Sequence, residues 1–588
     1  MNRPVRIANC SGFYGDRFSA AREMLAGPVD VLTGDYLAEL TMLILWKARR
    51  KDESLGYATT FLRQMRDVLG TCLERGVKVV ANAGGLNPEG LAARITELSP
   101  EARVAYVTGD DLAPAVKDMQ AEGHEFTNLD TGEPLAKADQ QVVTANAYLG
   151  GWGITAALQA GADVVICGRV TDASLVTGPA AWWHGWRRDD WDALAGAVAA
   201  GHVIECGPQA TGGNYSFLDE ITDRRYPGFP IAEVAADGSS VITKHDGTGG
   251  LVSAGTVTAQ LLYEIGEPAY LNPDVVAHFD TIRLEQDGPD RVALTGTRGS
   301  PPPDTLKVAL NMLGGYRNTM TMVITGLDVE AKAEHARNLL FARLPEFEET
   351  DVRLLRYDRP DAPANELAVA HLRVTVKDPD ERKVGRAFSD AITELALAGY
   401  AGFHATTPPS GASAYGVYWP ALIPARLVTQ QVHLPDGSTV AVRSNENDPR
   451  PQVLAVPASG RQPEAEEPAG PPVAIPLGWL CGARSGDKGG DANVGLWAVS
   501  PAAWTWLRRH LTVDAFRELL TEASGLKVDR YELPNLRALN FVAHGLLAPG
   551  VSATTRPDPQ AKGLGEYLRS RIVTVPADVV PASPGTRG

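Results

Sequence analysis

Five short apolar runs in the first 175 residues each end in a group of side chains able to do chemistry. Residues 5–9 lead into Cys10-Ser11-Gly12-Phe13-Tyr14-Gly15-Asp16, residues 29–32 into Thr33-Gly34-Asp35, and residues 77–81 into Asn82-Ala83-Gly84-Gly85. Residues 104–107 lead into Thr108-Gly109-Asp110-Asp111, and residues 163–167 into Gly168-Arg169-Val170-Thr171-Asp172-Ala173-Ser174. Glycine turns let backbone N–H groups approach a polar ligand, an arginine grips an anion with a two-pronged fork, and carboxylates bind hydroxyls or move protons. The candidates for binding substrate or anion are therefore Ser11, Gly12, Asn82, Gly84, Gly85, Arg169, Asp172 and Ser174, with Asp35 and Asp110 as proton carriers. Taken singly, Asp16, Asp111 and Ser174 equally suit helix caps; Arg169 and Asn82 are not standard caps.

Two further groups follow. His202-Val203-Ile204-Glu205-Cys206, Gly212-Gly213-Asn214 and Lys244-His245-Asp246-Gly247-Thr248-Gly249-Gly250 bring together imidazole, carboxylate, thiol and a glycine-rich turn. A histidine titrates near neutrality and a run of backbone N–H groups can hold an oxyanion, so His245, Asn214, Gly249 and Gly250 join the candidates. Cys206 is better read as a small core residue. Arg484-Ser485-Gly486-Asp487-Lys488-Gly489-Gly490-Asp491 sets Arg484, Asp487 and Lys488 in a glycine-rich loop, and Asn540 to Gly545 brings His544 to the same edge if two strands pair there. The alternative is a solvated hairpin with Asp and Gly as turn formers.

The elements that must position these groups follow from the hydrophobic pattern. Strands of four or five buried residues alternating with helical stretches predict an α/β fold over 1–205, with a mostly parallel, Rossmann-like layered sheet whose strand ends share one crevice. One long helical region is expected between Asp35 and Arg75, and Pro88 suits a first helical turn. Residues 206–443 predict an α+β continuation of the same domain, with the strand and helix order over 304–443 suiting a ferredoxin-like sandwich. Eight prolines between 444 and 476 predict an extended linker. Residues 477–580 predict a separate small ferredoxin-like α+β domain, and 581–588 a disordered tail. The Trp182-Trp183-His184-Gly185-Trp186 and Tyr418-Trp419-Pro420 patches predict packing or oligomer contacts.

The chain has 588 residues, and 55 Lys and Arg against 71 Asp and Glu give a net charge of −16. That balance argues against nucleic acid as a partner. Five widely spaced cysteines without a CxxC pair argue against a disulfide framework or a zinc knuckle, and no site for a metal is expected. Neither an export signal nor a membrane span is visible, which predicts a cytoplasmic protein. The Gly12–Gly15 stretch lacks the G-x-G-x-x-G spacing, and no GxxxxGK[ST] occurs, so no nicotinamide or nucleotide cofactor is expected.

Several of these strings taken together, Ile7 to Arg17, Gly34 to Met42, Asn82 to Pro88, Ala162 to Leu175 and His202 to Asn214, resemble the acyclic terpene utilisation protein AtuA family. Arg484 to Asn493 with His544-Gly545 is similar to the small ferredoxin-fold domain fused to AtuA-like chains. The resemblance implies catabolism of citronellol- and geraniol-type compounds through branched acyl-CoA thioesters. The expectation is a homo-oligomeric lyase or hydratase on such a thioester, with CoA entering as part of the substrate and Asp35, Asp110 or His245 moving the proton. Arg169, Lys244, Arg484 and Lys488 are the cations placed to meet a polyanion. The alternatives are a non-catalytic subunit of a carboxylase-type complex and a metal-assisted hydrolase using Asp16, Asp35 and Asp110.

Overall fold

A computed structural model describes residues 3–443 and 469–581. The first two hundred residues alternate as their apolar runs require. The strands are β1 (Val5–Asn9), β2 (Val31–Gly34), β3 (Lys78–Ala81), β4 (Val104–Thr108), β5 (Val142–Ala147) and β6 (Val164–Cys167). The helices between and after them are α1 (Ala20–Met24), α2 (Glu39–Lys51), α3 (Thr59–Arg75), α4 (Pro88–Leu98), α5 (Val116–Ala121), α6 (Trp152–Gln159), α7 (Ser174–His184) and α8 (Trp191–Ile204). Pro88 is the first residue of α4, capped by the Asn87 side chain. The single helical stretch expected up to Arg75 is instead α2 and α3, because Asp52 turns extended and Gly56 adopts φ +108° between them.

β1, β2, β3, β6 and β4 pair in parallel in that order, β6 inserting between β3 and β4. Their side chains alternate between two cores. Val5, Ile7, Val80, Val107 and Val165 pack with Ile154 of α6, Val176 of α7 and Val198 of α8. Ala8, Leu32, Val79, Val164 and Ile166 pack with Met24 of α1, Phe61 and Met65 of α3 and Ile95 of α4. Helices thus cover both faces, and the loops carrying the polar groups gather at one edge.

The next segment gives β7 (Pro230–Val234), β8 (Ser240–Lys244), α9 (Ala254–Leu261), β9 (Ala269–Leu271), β10 (Val276–His278), β11 (Arg283–Gln286), β12 (Arg291–Thr295) and β13 (Arg298–Ser300). After it come β14 (Thr305–Thr325), α10 (Val329–Phe341), β15 (Glu349–Arg356), β16 (Val369–Asp378), α11 (Glu381–Val384), α12 (Arg386–Ala398), β17 (His404–Ala405), β18 (Ser413–Pro424), β19 (Thr429–His433) and β20 (Thr439–Arg443). The main sheet has eleven strands in the order β11-β12-β8-β7-β1-β2-β3-β6-β4-β19-β20. Only its centre is parallel, so the mostly parallel sheet expected for 1–205 is the middle of a mixed one. The flanking strands are joined by tight turns such as Asp237-Gly238 and Asp436-Gly437, and short hairpins can add only antiparallel neighbours.

Residues 305–405 run β14-α10-β15-β16-α12-β17, with the sheet order β17-β14-β16-β15, the βαββαβ arrangement expected there. α10 and α12 cover one face, burying Met320, Met322, Leu372, Val374 and Phe388. β14 is long enough to pair with β5 and β18 as well.

The C-terminal part holds β21 (Pro472–Pro476), β22 (Cys481–Lys488), β23 (Asp491–Ala498), α13 (Pro501–His510), α14 (Val513–Leu519), β24 (Val528–Leu533), β25 (Ala538–Ala543), α15 (Leu564–Ser570) and β26 (Ile572–Pro576). Its antiparallel sheet has the order β22-β23-β25-β24. The extended linker expected over 444–476 ends earlier than that: residues 472–476 are strand β21, paired with β26. The expected linker residues 444–468 and tail residues 582–588 lie outside the described residues. Trp186 and Trp419 are buried, their indole N–H groups donating to Ala236 O and Phe126 O at 2.8 Å. Among the described residues no helix is long and apolar enough to cross a membrane.

Candidate functional site

The ends of β1, β2, β3 and β6 meet through a tight network. Asn9 accepts from Ser11 N (2.8 Å) and donates to Glu205 O (3.2 Å), so the first loop is tied to the end of α8. Gly12 lies against that end: a Cβ there would stand 2.6 Å from the Cys206 carbonyl carbon. Asp16 accepts from Gly12 N and Arg17 N and so works as a turn former. Asp35 N donates to Ser11 O (2.9 Å), and its carboxyl accepts from Asn82 Nδ2 (2.6 Å) and Leu37 N (3.1 Å). Gly84 N donates to Cys167 O (3.0 Å), joining β3 to β6. Ser11, Asp35, Asn82, Arg169 and Ser174 are all buried.

Arg169 is the centre of this network. Its backbone N–H donates to Asp110 Oδ2 (2.8 Å), which also accepts from Asn146 (2.9 Å), so Asp110 holds the loop in place. The guanidinium donates to Leu37 O (3.2 Å), forks onto Asp172 (2.8 and 3.4 Å) and lies 4.2 Å from the Tyr148 ring centre. Burial works against its charge, but Asp172, Tyr148 and Asp35 more than compensate, and the arginine is held firmly cationic.

A second arc comes from α8 and the C-terminal domain. His202 and Glu205, one helical turn apart, sit 3.2 Å from each other (Nδ1 to Oε1), and the imidazole packs against the mutually touching rings of Tyr270 and Phe279. The hairpin of β22 and β23 packs against residues 262–266. Asn493 accepts from Glu264 N (2.8 Å), Lys488 Nζ donates to Glu264 O (3.2 Å), and Arg484 and Lys562 stand over the Tyr263 ring at 4.4 and 4.5 Å.

Burial dominates the electrostatics. It drives the Asp35 carboxyl well above the ordinary range, with Asp172 adding to the rise and Arg169 opposing it. Burial does the same to Glu205, reinforced by Asp172 and Glu264; its place at the negative end of α8 has the same sign. Burial lowers His202 to about 4, so its imidazole is neutral, and raises Asp110 to about 6. The arrangement therefore sets a neutral imidazole and a fixed guanidinium beside two buried acids whose protonated forms burial favours. Neutral acids can donate a proton to a developing oxyanion, and the guanidinium can share its charge with one.

The other candidates do not all share the crevice. His245 Nε2 is 2.8 Å from Met24 O, with its ring against Gly27, apart from the crevice. Gly249 lines a surface cavity of about 430 Å³ with Arg17, Arg225 and Tyr226; its neighbour Gly250 turns there with φ +87°. Lys244 is paired with Asp290 at 2.9 Å. Asn214 offers its carbonyl to Arg484, and Arg484, Asp487 and Lys488 form the hairpin that meets the main domain, not a free loop. His544 bridges Asp491 and Asp529, both at 2.8 Å. Gly85 turns with φ +52° against Leu45. Asp16, Asp35 and Asp110 do not converge, and among the described residues no three His, Cys, Asp or Glu side chains are grouped to hold a metal ion. Cavities of about 550 and 270 Å³, at Gly123–Leu129 and beside Asp192, have none of the crevice residues in their linings.

Tyr148, Tyr263, Glu264, Tyr270 and Lys562 belong to the site without having been singled out from the sequence. Glu205, read from the sequence as the carboxylate of the His202–Cys206 group, directly follows a helix with twelve buried positions.

Fold and site together define a two-part α/β protein whose buried polar crevice is flanked by a small C-terminal domain. Residues 5–434 match the acyclic terpene utilisation family protein AtuA, and residues 475–574 match the AtuA ferredoxin-like domain. The chain belongs to the acyclic terpene utilisation AtuA family. Comparison with curated proteins and with solved structures returned no match.

Proposed function

We propose that the crevice is the active site of an acyl-CoA-pathway enzyme, a lyase or hydratase acting on a branched or isoprenoid-derived thioester. The reading is carried by one observation: the buried Asp35 carboxyl, held by Asn82 Nδ2 at 2.6 Å, shares the crevice with the buried guanidinium of the Arg169–Asp172 pair. In addition or loss of water or a carbon fragment next to a thioester, charge gathers on the carbonyl oxygen while a proton moves at the α carbon. Arg169 is suited to the oxyanion, Asp172 fixes the guanidinium, and Asp35 and Glu205 are the acids able to give and retake the proton. Membership of a family named for acyclic terpene utilisation supports a branched apolar substrate.

The test is a thermal-shift and turnover screen against a panel of acyl-CoA thioesters. Ligand at 100 times its dissociation constant stabilises by about 2.7 kcal/mol. Turnover should fall at least about 100-fold in Asp35→Asn and Arg169→Lys, the scale of a lost general acid or oxyanion contact. Full activity in both variants on a turned-over substrate would place the chemistry elsewhere.

A further inference from the structure

The βαββαβ unit has helices on one sheet face only. On the other face, side chains at every second position of three adjacent strands point together: Arg317, Thr319 and Thr321 on β14, Arg373, Thr375 and Lys377 on β16, and Glu349, Asp351 and Arg353 on β15. Arg353 and Arg373 are direct cross-strand partners, as are Arg317 and Lys377. Like charges placed opposite each other destabilise a sheet, so this pattern has a cost in the ligand-free protein.

Compensation is partial. Arg353 pairs with Asp351 and Lys377 with Glu349, both at 2.7 Å. Arg317, Arg373 and Lys47 of α2 form no ion pair with any described carboxylate; their donors go to neutral carbonyls. Arg373 Nη1 reaches Thr555 O (2.6 Å), Arg317 Nη1 reaches Thr554 O (3.4 Å), and Lys47 Nζ reaches Ala414 O (3.0 Å). Arg353 Nη2 adds a contact to Thr555 Oγ1 (3.3 Å). The C-terminal domain thus lays one loop along the rim of the face without bringing a negative charge. Burial lowers all three of these cations; repulsion from Arg353 adds to the effect on Arg373 and repulsion from Arg317 to that on Lys47, while Asp351 partly offsets it at Arg373 and Tyr415 at Arg317. None of the remaining guanidinium nitrogens of Arg317, Arg353 or Arg373 is buried without a partner, so their free donors face solvent. In a chain of net charge −16, such a concentration of half-buried cations calls for an anion.

We propose that this sheet face binds a phosphorylated anion of the pyrophosphate or nucleotide-phosphate class through Arg317, Arg353, Arg373 and Lys47. Arginine forks match phosphate oxygens two at a time, and the half-buried Thr319 hydroxyl, 3.0 Å from that of buried Thr375, adds a neutral group between the arginines. The site stands on its own geometry and does not depend on the reading of the crevice.

The experiment titrates the full chain with inorganic pyrophosphate by calorimetry, against sodium sulfate at matched ionic strength. Pyrophosphate should bind at least tenfold more tightly than sulfate. Arg353→Gln/Arg373→Gln should weaken it at least tenfold, and Arg169→Gln should leave it unchanged. Arg317→Gln alone serves if the double variant does not fold, with the same direction expected. Competition identifies the source: displacement by CoA and by adenosine 3′,5′-bisphosphate marks the tail of a thioester, and displacement by ADP but not CoA marks a separate nucleotide. Either pattern supports the site. No preference for pyrophosphate over sulfate, or equal binding by the folded variants, overturns it.

Discussion

Arg169 and Asp172 lie three residues apart just before α7 and meet at 2.8 Å, the arginine side chain 6% exposed and the aspartate 29%. The asymmetry matters. The guanidinium has lost its water and depends on protein acceptors, while the carboxylate remains the end of the pair that solvent reaches. A buried cation fixed this way is pre-positioned to share its charge with an incoming anion.

Removing that cation leaves Asp35, Asp172 and Glu205 facing one another without it. Arg169→Met is expected to cost about 3 kcal/mol, the scale for stripping one partner from a buried pair, and urea denaturation reads it as a lower midpoint. Asp172→Asn should cost less, because the residue it replaces is partly in water. Equal losses in the two variants would contradict this division.

The buried acids set the sign of the pH dependence. Asp35 and Glu205 titrate above their unfolded values, so between the ordinary carboxylate range and their raised values the folded protein holds protons that the unfolded chain has released. Stability from these groups is complete at low pH and declines as pH rises, each contributing a slope of about 1.4 kcal/mol per pH unit. His202, lowered to about 4, acts oppositely: its contribution is complete above about 6.5 and declines as pH falls toward 4. Asp35→Asn keeps the acceptor for Leu37 N but cannot ionise. Its melting temperature should gain on the parent as pH rises above the ordinary carboxylate range, measured by differential scanning fluorimetry.

Two glycines bring the strand ends into contact. A Cβ at Gly12 would meet the Cys206 carbonyl carbon at 2.6 Å, and one at Gly84 would meet Cys167 O at 2.6 Å. Both obstacles are backbone, which cannot rotate aside. Gly12→Ala and Gly84→Ala should each destabilise by about 1–3 kcal/mol, the usual cost of overpacking, while Gly70→Ala, with open space around it, should not. Thermal unfolding of the three variants side by side decides.

The first arc of the site was legible because period and position coincide in a parallel sheet. Once residues 29–32, 77–81 and 163–167 are strands, Asp35, Asn82 and Arg169 must share an edge. The same logic failed for His245, since it follows an antiparallel strand whose end abuts Met24 and Gly27, a neighbour that no local pattern specifies. Tyr270 and Glu264 reach the crevice through a short connection between α9 and β9, and Lys562 from almost three hundred residues further along the chain. Only tertiary docking joins them. The hairpin of β22 and β23 shows the limit differently: its glycines and charges suit an exposed loop equally well, and its burial depends on what covers it.

That docking rests on two amides. Asn493 and Asn540, fully buried on neighbouring strands, donate outward, Asn540 Nδ2 to Ile265 O (3.1 Å) and Gly266 O (2.7 Å) and Asn493 Nδ2 to Leu262 O (3.1 Å), and Asn493 Nδ2 also donates to Asn540 Oδ1. They hold the segment that carries Tyr263 and Glu264 to the crevice. Asn540→Leu leaves two carbonyls and one amide donor without partners in a site that excludes water, at about 1–3 kcal/mol for each group left unsatisfied. Amide hydrogen exchange at Glu264 should accelerate at least tenfold in that variant, while exchange in β3 stays unchanged. Uniform acceleration through both regions would mean that the two parts unfold as one unit, and that these amides support global stability without locally fixing the site.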